Sequence, residues 1–262
     1  MKTIVTGLLL LCGLLTLNAA ELTIAYEDKE QPPYYMGNTT EVLSNNPGVA
    51  VEMIKLLEKK IPDLKIKFVR YPWKRCLAVL GENSVDGIFN SSYKEDRLEL
   101  GWYPTTDKKH KGEADVKRRL CTMTYSLYAL KGTNVGWDGK KFNNFSGKVS
   151  AVLGYSIVDD LKKLGANVEE APNSINNLDK IVAKRCEATA LQDVTADNII
   201  ASNKSKYADL VKITPPLSNK HYYLMLSKKL VESNPALAQK IWDELAKIRE
   251  EQLEKLSAKY LD

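Results

Sequence analysis

The alternation of apolar strands with amphipathic helices is the sequence feature that most constrains this fold. Residues 22–26 alternate with the period of a half-buried strand, and residues 48–61 show the broad apolar face of a helix that ends at Pro62. Further strands are predicted at residues 64–69 and 85–89, with a short helix at about residues 73–81 between them. This order is typical of α/β folds, in which helices cross over between parallel strands.

The same unit is repeated in outline in the second half of the chain. Strands are predicted at residues 122–130, 148–153 and 188–191, with one helix ending near Leu164 and another at residues 176–184. We therefore predict a second α/β lobe, so that each lobe is a mostly parallel sheet flanked by helices. Between the two units, residues 104–119 are charged and irregular, which indicates a surface insertion.

A strand at residues 222–226 and two helices, at residues 234–250 and 251–260, are predicted to close the chain. These helices need a partner that buries their apolar side chains: Leu237, Ile241, Trp242, Leu245 and Ile248. Returning them to the first lobe is the most economical arrangement. The chain would then cross between the lobes twice, near residues 120–125 and 214–223, and two crossings form a hinge.

The predicted division of the chain has four parts. They are residues 1–20 as a signal peptide, 21–122 as the first part of lobe 1, 123–220 as lobe 2 and 221–262 as the return to lobe 1. Lys2 gives the leader a positive start, residues 8–15 are its apolar stretch, and small residues precede a cleavage site near Ala20. The apolar stretch is short for a membrane span of about 20 residues, so we expect export.

Composition and motifs argue against several kinds of site. The net charge of +5 comes from Lys and Arg mixed with Asp and Glu, which indicates a solvated surface rather than a nucleic-acid groove. The two histidines have no partner at metal-ligand spacing, and no HExxH, GxSxG or phosphate-loop motif occurs. We therefore expect no metal, no cofactor and no catalytic residue. Export permits a disulfide, and the odd number of cysteines after the leader leaves open whether any two of them pair: Cys76, Cys121 and Cys186.

Two predicted strands, one in each half of the chain, end in polar segments that carry opposite charges. Asn90, Ser92 and Arg97 follow the strand at residues 85–89, and Asp193 follows the strand at residues 188–191. Ligands of open α/β sheets bind at the carboxyl ends of the strands. A cation from one lobe and an anion from the other could therefore hold the two ends of a zwitterion.

In their order and spacing, five segments resemble the family-three bacterial periplasmic solute-binding proteins, the amino-acid receptors of ABC importers. The segments are Gly48-Val49-Ala50-Val51-Glu52, Trp73-Lys74-Arg75-Cys76-Leu77, Val85-Asp86-Gly87-Ile88, Lys94-Glu95-Asp96-Arg97 and Ala190-Leu191-Gln192-Asp193. The resemblance covers nearly all of the chain after the leader. It implies a two-lobed periplasmic-binding-protein fold of type II, with two crossover segments joining the lobes. It also implies a monomer in the periplasm that closes on an amino acid or similar zwitterion and delivers it to the membrane permease of an ABC importer.

The resemblance also assigns roles to individual residues. Arg97 would pair with the ligand carboxylate beside Asn90 and Ser92, and Asp193 would hold the amino group. Trp73 would lie against the ligand side chain. For each residue a structural role is the alternative, such as a salt bridge between Arg97 and a neighbouring acid.

Two further positions are implied by the resemblance. Ser156 lies at a predicted helix start, where free N–H groups favour an anion or where a serine simply caps the helix. Asp28 lies in the first loop, where some relatives place an acid that reads the ligand side chain. Glu27 and Glu30 are rival acids in the same loop.

Two other functions stay open beside transport. One is a catalyst on the same scaffold, of a dehydratase type, which would need a poised acid or base in the cleft. The other is an orphan sensor that presents its closed form to a membrane signalling protein.

Overall fold

One strand, β8, belongs to both halves of a single mixed sheet and joins them. The computed structural model describes residues 20–107, 110 and 112–261, and the predicted signal peptide lies almost wholly outside these residues. Within that part, eight strands form the sheet: β1 (Ala20–Glu27), β2 (Leu64–Tyr71), β3 (Gly87–Ser92), β4 (Cys121–Leu130), β5 (Lys148–Val152), β6 (Asn167–Ala171), β7 (Ala188–Gln192) and β8 (Leu210–Leu226).

Helices flank the sheet on both of its halves. The α-helices are α1 (Val49–Lys55), α2 (Leu57–Lys60), α3 (Trp73–Gly81), α4 (Ile157–Lys163), α5 (Ser174–Val182), α6 (Asp193–Ser202), α7 (Lys204–Tyr207), α8 (Lys228–Ser233) and α9 (Pro235–Leu261). Short 3-10 helices occur at Glu95–Glu99 and Val116–Arg118. None of the helices in the described part of the chain combines the length and apolar character needed to cross a bilayer.

The strand order β2-β1-β3-β8-β4-β7-β5-β6 separates two parallel groups. In the first lobe β1 pairs in parallel with β2 and β3, and in the second lobe β5 pairs in parallel with β6 and β7. Between them, β8 pairs antiparallel with β4 and then with β3. The predicted fold class, two mostly parallel lobes joined by two crossing segments, is confirmed.

Separate hydrophobic clusters stabilise the two lobes. In the first lobe, Tyr26, Phe89 and Trp242 belong to one cluster between the sheet and the helices α1 and α9. In the second lobe, Leu127 and Val149 belong to a cluster that packs the sheet against α4. Because each lobe has its own core, the lobes can move relative to one another while each stays folded.

The terminal helix is longer than the sequence prediction. Residues 235–261 form one continuous helix rather than two, because Glu250 and Glu251 at the expected break are both good helix formers. In this helix, Trp242 is fully buried in the first lobe and donates its indole N–H to the carbonyl of Leu224 at 2.9 Å.

Five other elements differ from the sequence prediction. The last strand begins at Leu210 rather than at residue 222, and four elements are additional: β6, α6, α7 and α8. Residues 104–119 were expected to be a surface insertion, but several of the described residues in this range are buried. His110 lies between the rings of Trp102 and Trp242, at 5.5 and 5.3 Å.

The burial of Trp242 leads to a stability prediction. Trp242→Ala should lower the free energy of unfolding by about 3–5 kcal/mol, because it leaves a cavity in the first lobe and an unpaired Leu224 carbonyl. Chemical denaturation measures this loss. Trp137→Ala, at a half-buried tryptophan in the second lobe, is the control and should cost clearly less. Equal losses of unfolding free energy in the two variants would contradict the conclusion that α9 is part of the first-lobe core.

Candidate functional site

A cavity lies between the lobes, where β1 and β3 of the first lobe end opposite the turn that follows β5. Nine residues line it: Glu27, Tyr35, Trp73, Asn90, Ser92, Arg97, Tyr155, Ser156 and Tyr222. In this conformation the open space in the cavity is about 10 Å³, roughly the room for one water molecule, so a larger solute can enter only when the lobes separate.

Strand and helix ends place these side chains in the cavity. Glu27 and Ser92 are the last residues of β1 and β3, and Trp73 is the first residue of α3. Asn90 has a φ of 55° where the pairing of β3 with β8 shifts register, and this bulge turns its amide toward the cleft. Ser156 immediately precedes α4.

Arg97 is a buried cation without an acidic partner. Its guanidinium donates to the carbonyl of Ser92 at 2.8 Å and to the carbonyl of Gly154, in the second lobe, at 3.1 Å. It also lies 5.4 Å from the centre of the Trp73 ring. Among the described residues, no carboxylate lies within 4.0 Å of the guanidinium. Neutral dipoles alone therefore compensate this charge.

Glu27 is the acid of the cavity and is buried as well. Two tyrosine hydroxyls donate to its Oε2, Tyr35 at 2.8 Å and Tyr155 at 2.5 Å, and no described residue donates to Oε1. Burial raises the pKa of Glu27 to about 7, although the two hydroxyl donors and Arg70 oppose the shift. The carboxyl group thus changes charge near neutral pH.

Arg70 organises the loop that completes the acid site. Its buried guanidinium donates to the carbonyls of Glu27, Met36, Gly37 and Glu41 at 2.7–3.2 Å. These bonds hold the loop after β1 against β2. Arg70 is therefore a structural cation, whereas Arg97 lines the cavity.

A network of neutral groups surrounds the two charged ones. The hydroxyls of Tyr125 and Tyr222 are 2.7 Å apart, Gln192 donates to Tyr222 at 2.8 Å, and burial raises the pKa of Tyr222 to about 12. Asn90 donates to Gln31 at 2.9 Å.

Two polar atoms of this network are buried without a partner among the described residues: Asn90 Oδ1 and Trp73 Nε1. Such atoms are costly unless a further group satisfies them. They mark the cavity as a place where a polar guest gains hydrogen bonds.

The structure brings five of the seven predicted site residues to this cavity: Arg97, Trp73, Asn90, Ser92 and Ser156. Asp28 and Asp193 do not line it. Asp28 follows the end of β1, and its backbone N–H donates to the carbonyl of Tyr71 at 2.9 Å. Asp193, the first residue of α6, pairs with Lys212 at 3.4 Å.

The cavity also contains residues that the sequence prediction did not place there. Glu27 was only a rival of Asp28, and three tyrosines were not assigned to the site: Tyr35, Tyr155 and Tyr222. Successive strand residues point to opposite faces, so the end of β1 decides which of two adjacent acids faces the cleft. The sequence contained one indication that Tyr155 lines the cavity, because this residue stands beside Ser156 in the turn after a predicted strand.

The described residues contain neither a group of side chains suited to a metal ion nor a disulfide. There, no group of three or more His, Cys, Asp and Glu side chains could hold a metal ion. Cys76, Cys121 and Cys186 are all buried and free.

Comparisons with known proteins bear on the fold. No protein-family model and no curated protein matches the sequence. Solved structures do match it. One is a histidine kinase sensor domain with similarity to periplasmic binding proteins, 18% identical with a TM-score of 0.69, over 92% of this chain and 96% of that one.

Two further structures are similar along almost the whole chain. An ancestral arginine-binding protein bound to glutamine is 17% identical with a TM-score of 0.68, over 92% of this chain and 97% of that one. The GluR0 ligand-binding core from Nostoc punctiforme, in complex with L-glutamate, is 15% identical with a TM-score of 0.65, over 92% and 99%. These matches establish the two-lobed fold of the periplasmic-binding-protein type.

The shifted pKa of Glu27 leads to a prediction about stability and pH. The folded state binds the Glu27 proton more tightly than the unfolded state, in which the pKa of this carboxyl has its ordinary value of 4.5. Stability should therefore fall as pH rises from about 4.5 to 7, by up to about 3 kcal/mol from this group. Glu27→Gln should remove this component, so that the variant gains relative to the wild type between pH 5 and pH 8. Denaturation curves at both pH values measure it, and a constant difference between the two proteins would contradict the prediction.

Proposed function

We propose that this protein is an exported, periplasmic solute-binding protein that encloses an amino acid, or a similar zwitterion, between its lobes. It acts as a monomer and delivers the solute to the membrane permease of an ABC importer. One observation carries the proposal: Arg97 and Glu27, of opposite charge, line one cavity, and neither has an oppositely charged partner within 4.0 Å among the described residues. A zwitterion would supply both missing partners.

Arg97 is the proposed partner of the solute carboxylate. A guanidinium can bind a carboxylate through two parallel hydrogen bonds, which fixes the orientation of the solute. Ser92 and Ser156, which line the same part of the cavity, are the proposed neutral donors to the carboxylate. Trp73 would then pack against the aliphatic part of the solute, beside the guanidinium.

Glu27 is the proposed partner of a cationic group. Its Oε1 receives no hydrogen bond from a described residue, and Asn90 Oδ1 is a second unpaired acceptor in the cavity wall. An ammonium or guanidinium group supplies several donors and can satisfy both oxygens. This assignment replaces Asp193, which the resemblance suggested for the amino group and which Lys212 engages instead.

The structural comparisons support capture of an amino acid. The matched arginine-binding protein holds glutamine and the GluR0 core holds L-glutamate, so this two-lobed scaffold does enclose amino acids in other proteins. The matched histidine kinase sensor domain favours a second candidate, in which the same closure reports a solute to a membrane signalling protein. The two candidate functions, transport and signalling, use the same binding site. They differ only in which membrane protein recognises the closed conformation.

The first test is a thermal-shift screen of amino acids, polyamines and small organic acids, since a solute that binds only the native state raises its melting temperature. For a solute found in this way, Arg97→Ala should weaken binding by at least about thirtyfold, the effect of removing one partner of a buried charge pair. Arg75→Ala, at an exposed arginine on α3, is the control and should leave the affinity unchanged. Equal affinities in all three proteins would contradict the proposal, and turnover of the solute would favour an enzyme.

The second test compares the two candidate acids. Glu27→Gln should weaken binding of a solute with a cationic group by about tenfold or more, whereas Asp193→Asn should change it little. Because ionised Glu27 binds the cation, the wild-type affinity should rise by up to about tenfold from pH 6 to pH 8, and in Glu27→Gln it should stay flat. Isothermal titration calorimetry measures both effects. The reverse ranking of the two variants would return the amino group to Asp193.

A further inference from the structure

We propose that the turn Gly154–Ser156 of the second lobe acts as an internal competitor for the solute, satisfying the groups of the first lobe that would otherwise hold it. This inference rests on the proposed function and adds a regulation of the same site. If the inference holds, the lobes close without a solute, through contacts between protein groups alone. A solute must then displace the turn from these contacts before it can bind.

Three successive residues of the turn each meet a different group of the first lobe. The Gly154 carbonyl accepts a hydrogen bond from Arg97 at 3.1 Å. The Tyr155 hydroxyl donates to Glu27 at 2.5 Å. The hydroxyls of Ser156 and Ser92 are 2.7 Å apart, so each engages the other until a solute carboxylate takes its place.

The turn offers each group the chemistry that a zwitterion would offer it. A carbonyl oxygen presents an acceptor to the guanidinium, as a carboxylate oxygen does. The tyrosine hydroxyl presents a donor to the carboxyl group, as an ammonium does. Burial and the nearby Glu27 carboxyl raise the pKa of Tyr155 well above its ordinary value, so the hydroxyl keeps its proton. The turn carries no net charge at these atoms, so a charged guest can outcompete it.

The backbone of the turn is built to approach the first lobe closely. Gly154 has a φ of 76°, and a β-carbon at this position would lie 3.2 Å from the side chain of Lys74. Its N–H donates to the Glu170 carboxylate at 2.9 Å, which anchors the turn within the second lobe. The Tyr155 ring packs edge-on against Trp73, with ring centres 6.5 Å apart. These contacts position the three residues of the turn as one unit.

A charge pair at the rim adds to the same closure. Lys94 of the first lobe lies 2.6 Å from Asp159 of the second. The side chains of Lys94 and Asp159 are about one-third exposed, so water and salt screen their attraction. The shielded bonds of the turn therefore contribute more to closure than the rim does.

A competitor of this kind lowers the apparent affinity for the solute. When a protein populates a conformation that cannot accept a solute, its apparent dissociation constant equals the intrinsic constant divided by the fraction of molecules in the competent conformation. Weakening the turn should therefore tighten binding. A residue that merely contacts the solute would behave in the opposite way, because its loss weakens binding.

Tyr155→Phe tests the inference, with Tyr128→Phe as a matched control. Both changes delete a tyrosine hydroxyl that donates to a carboxylate, but Tyr128 donates to Asp197 within the second lobe, at 2.8 Å. Without added solute, small-angle scattering should show a larger radius of gyration for Tyr155→Phe than for the wild type and for Tyr128→Phe. Equal radii for all three folded proteins would overturn the inference. Melting curves check that each variant is folded.

Titration with L-arginine and L-glutamine gives the second readout. The amino acid that binds the wild type should bind Tyr155→Phe about tenfold more tightly, which corresponds to about 1.4 kcal/mol. Weaker binding by this variant would make Tyr155 a solute contact and overturn the competitor role, although the proposed function would stand. If neither amino acid nor any other solute binds the wild type, the proposed function fails, and the scattering result still decides whether the turn closes the cleft.

Discussion

The strand β8 pairs with both β4 and β3, and this double pairing holds the two lobes together. Residues 210–222 of this strand pair with β4, and residues 222–226 pair with β3. The backbone hydrogen bonds of one strand thus connect two lobes that have separate cores. Because the lobes face each other across this connection, β1 and β3 end opposite the turn after β5, and the cavity forms between them. A hinge of two strands also allows the lobes to separate and admit a solute.

Within the cavity, the charges of the first lobe are buried against dipoles rather than against each other. Arg97 donates to carbonyls, and Glu27 accepts from tyrosine hydroxyls. Such an arrangement leaves both charges available to a solute. The neutral dipoles offset part of the desolvation free energy that an uncompensated buried charge would cost. It also explains the raised pKa of Glu27, since two neutral donors stabilise a buried carboxylate less well than a cation would. Ligand capture, pH dependence and competition by the turn at residues 154–156 all follow from these same contacts.

Much of the fold could be predicted from the sequence, because strand and helix periodicities are local. The strands at residues 64–69 and 148–153 and the helix α3 were predicted within two residues of their observed ends. The elements that were missed depend on partners far along the chain. The polar first half of β8, which includes Pro215, is a strand because β4 supplies its partner, and α6 lacks a strongly one-sided apolar face. The boundaries between the lobes at residues 122 and 220 stay a prediction.

Local patterns were enough to predict most of the strands and helices, and to place the polar residues Asn90, Ser92 and Arg97 at or just after the carboxyl end of a strand. The resemblance of the chain's segments to a known family also singled out Arg97 as a candidate for the site. Which acid shares the cavity with Arg97 depends on tertiary contacts. Glu27, Asp28 and Asp193 are equivalent as side-chain types, but β1 ends with Glu27 in the cleft, whereas Lys212 engages Asp193. That choice depends on where each strand ends relative to partners in distant parts of the chain, which no local pattern encodes.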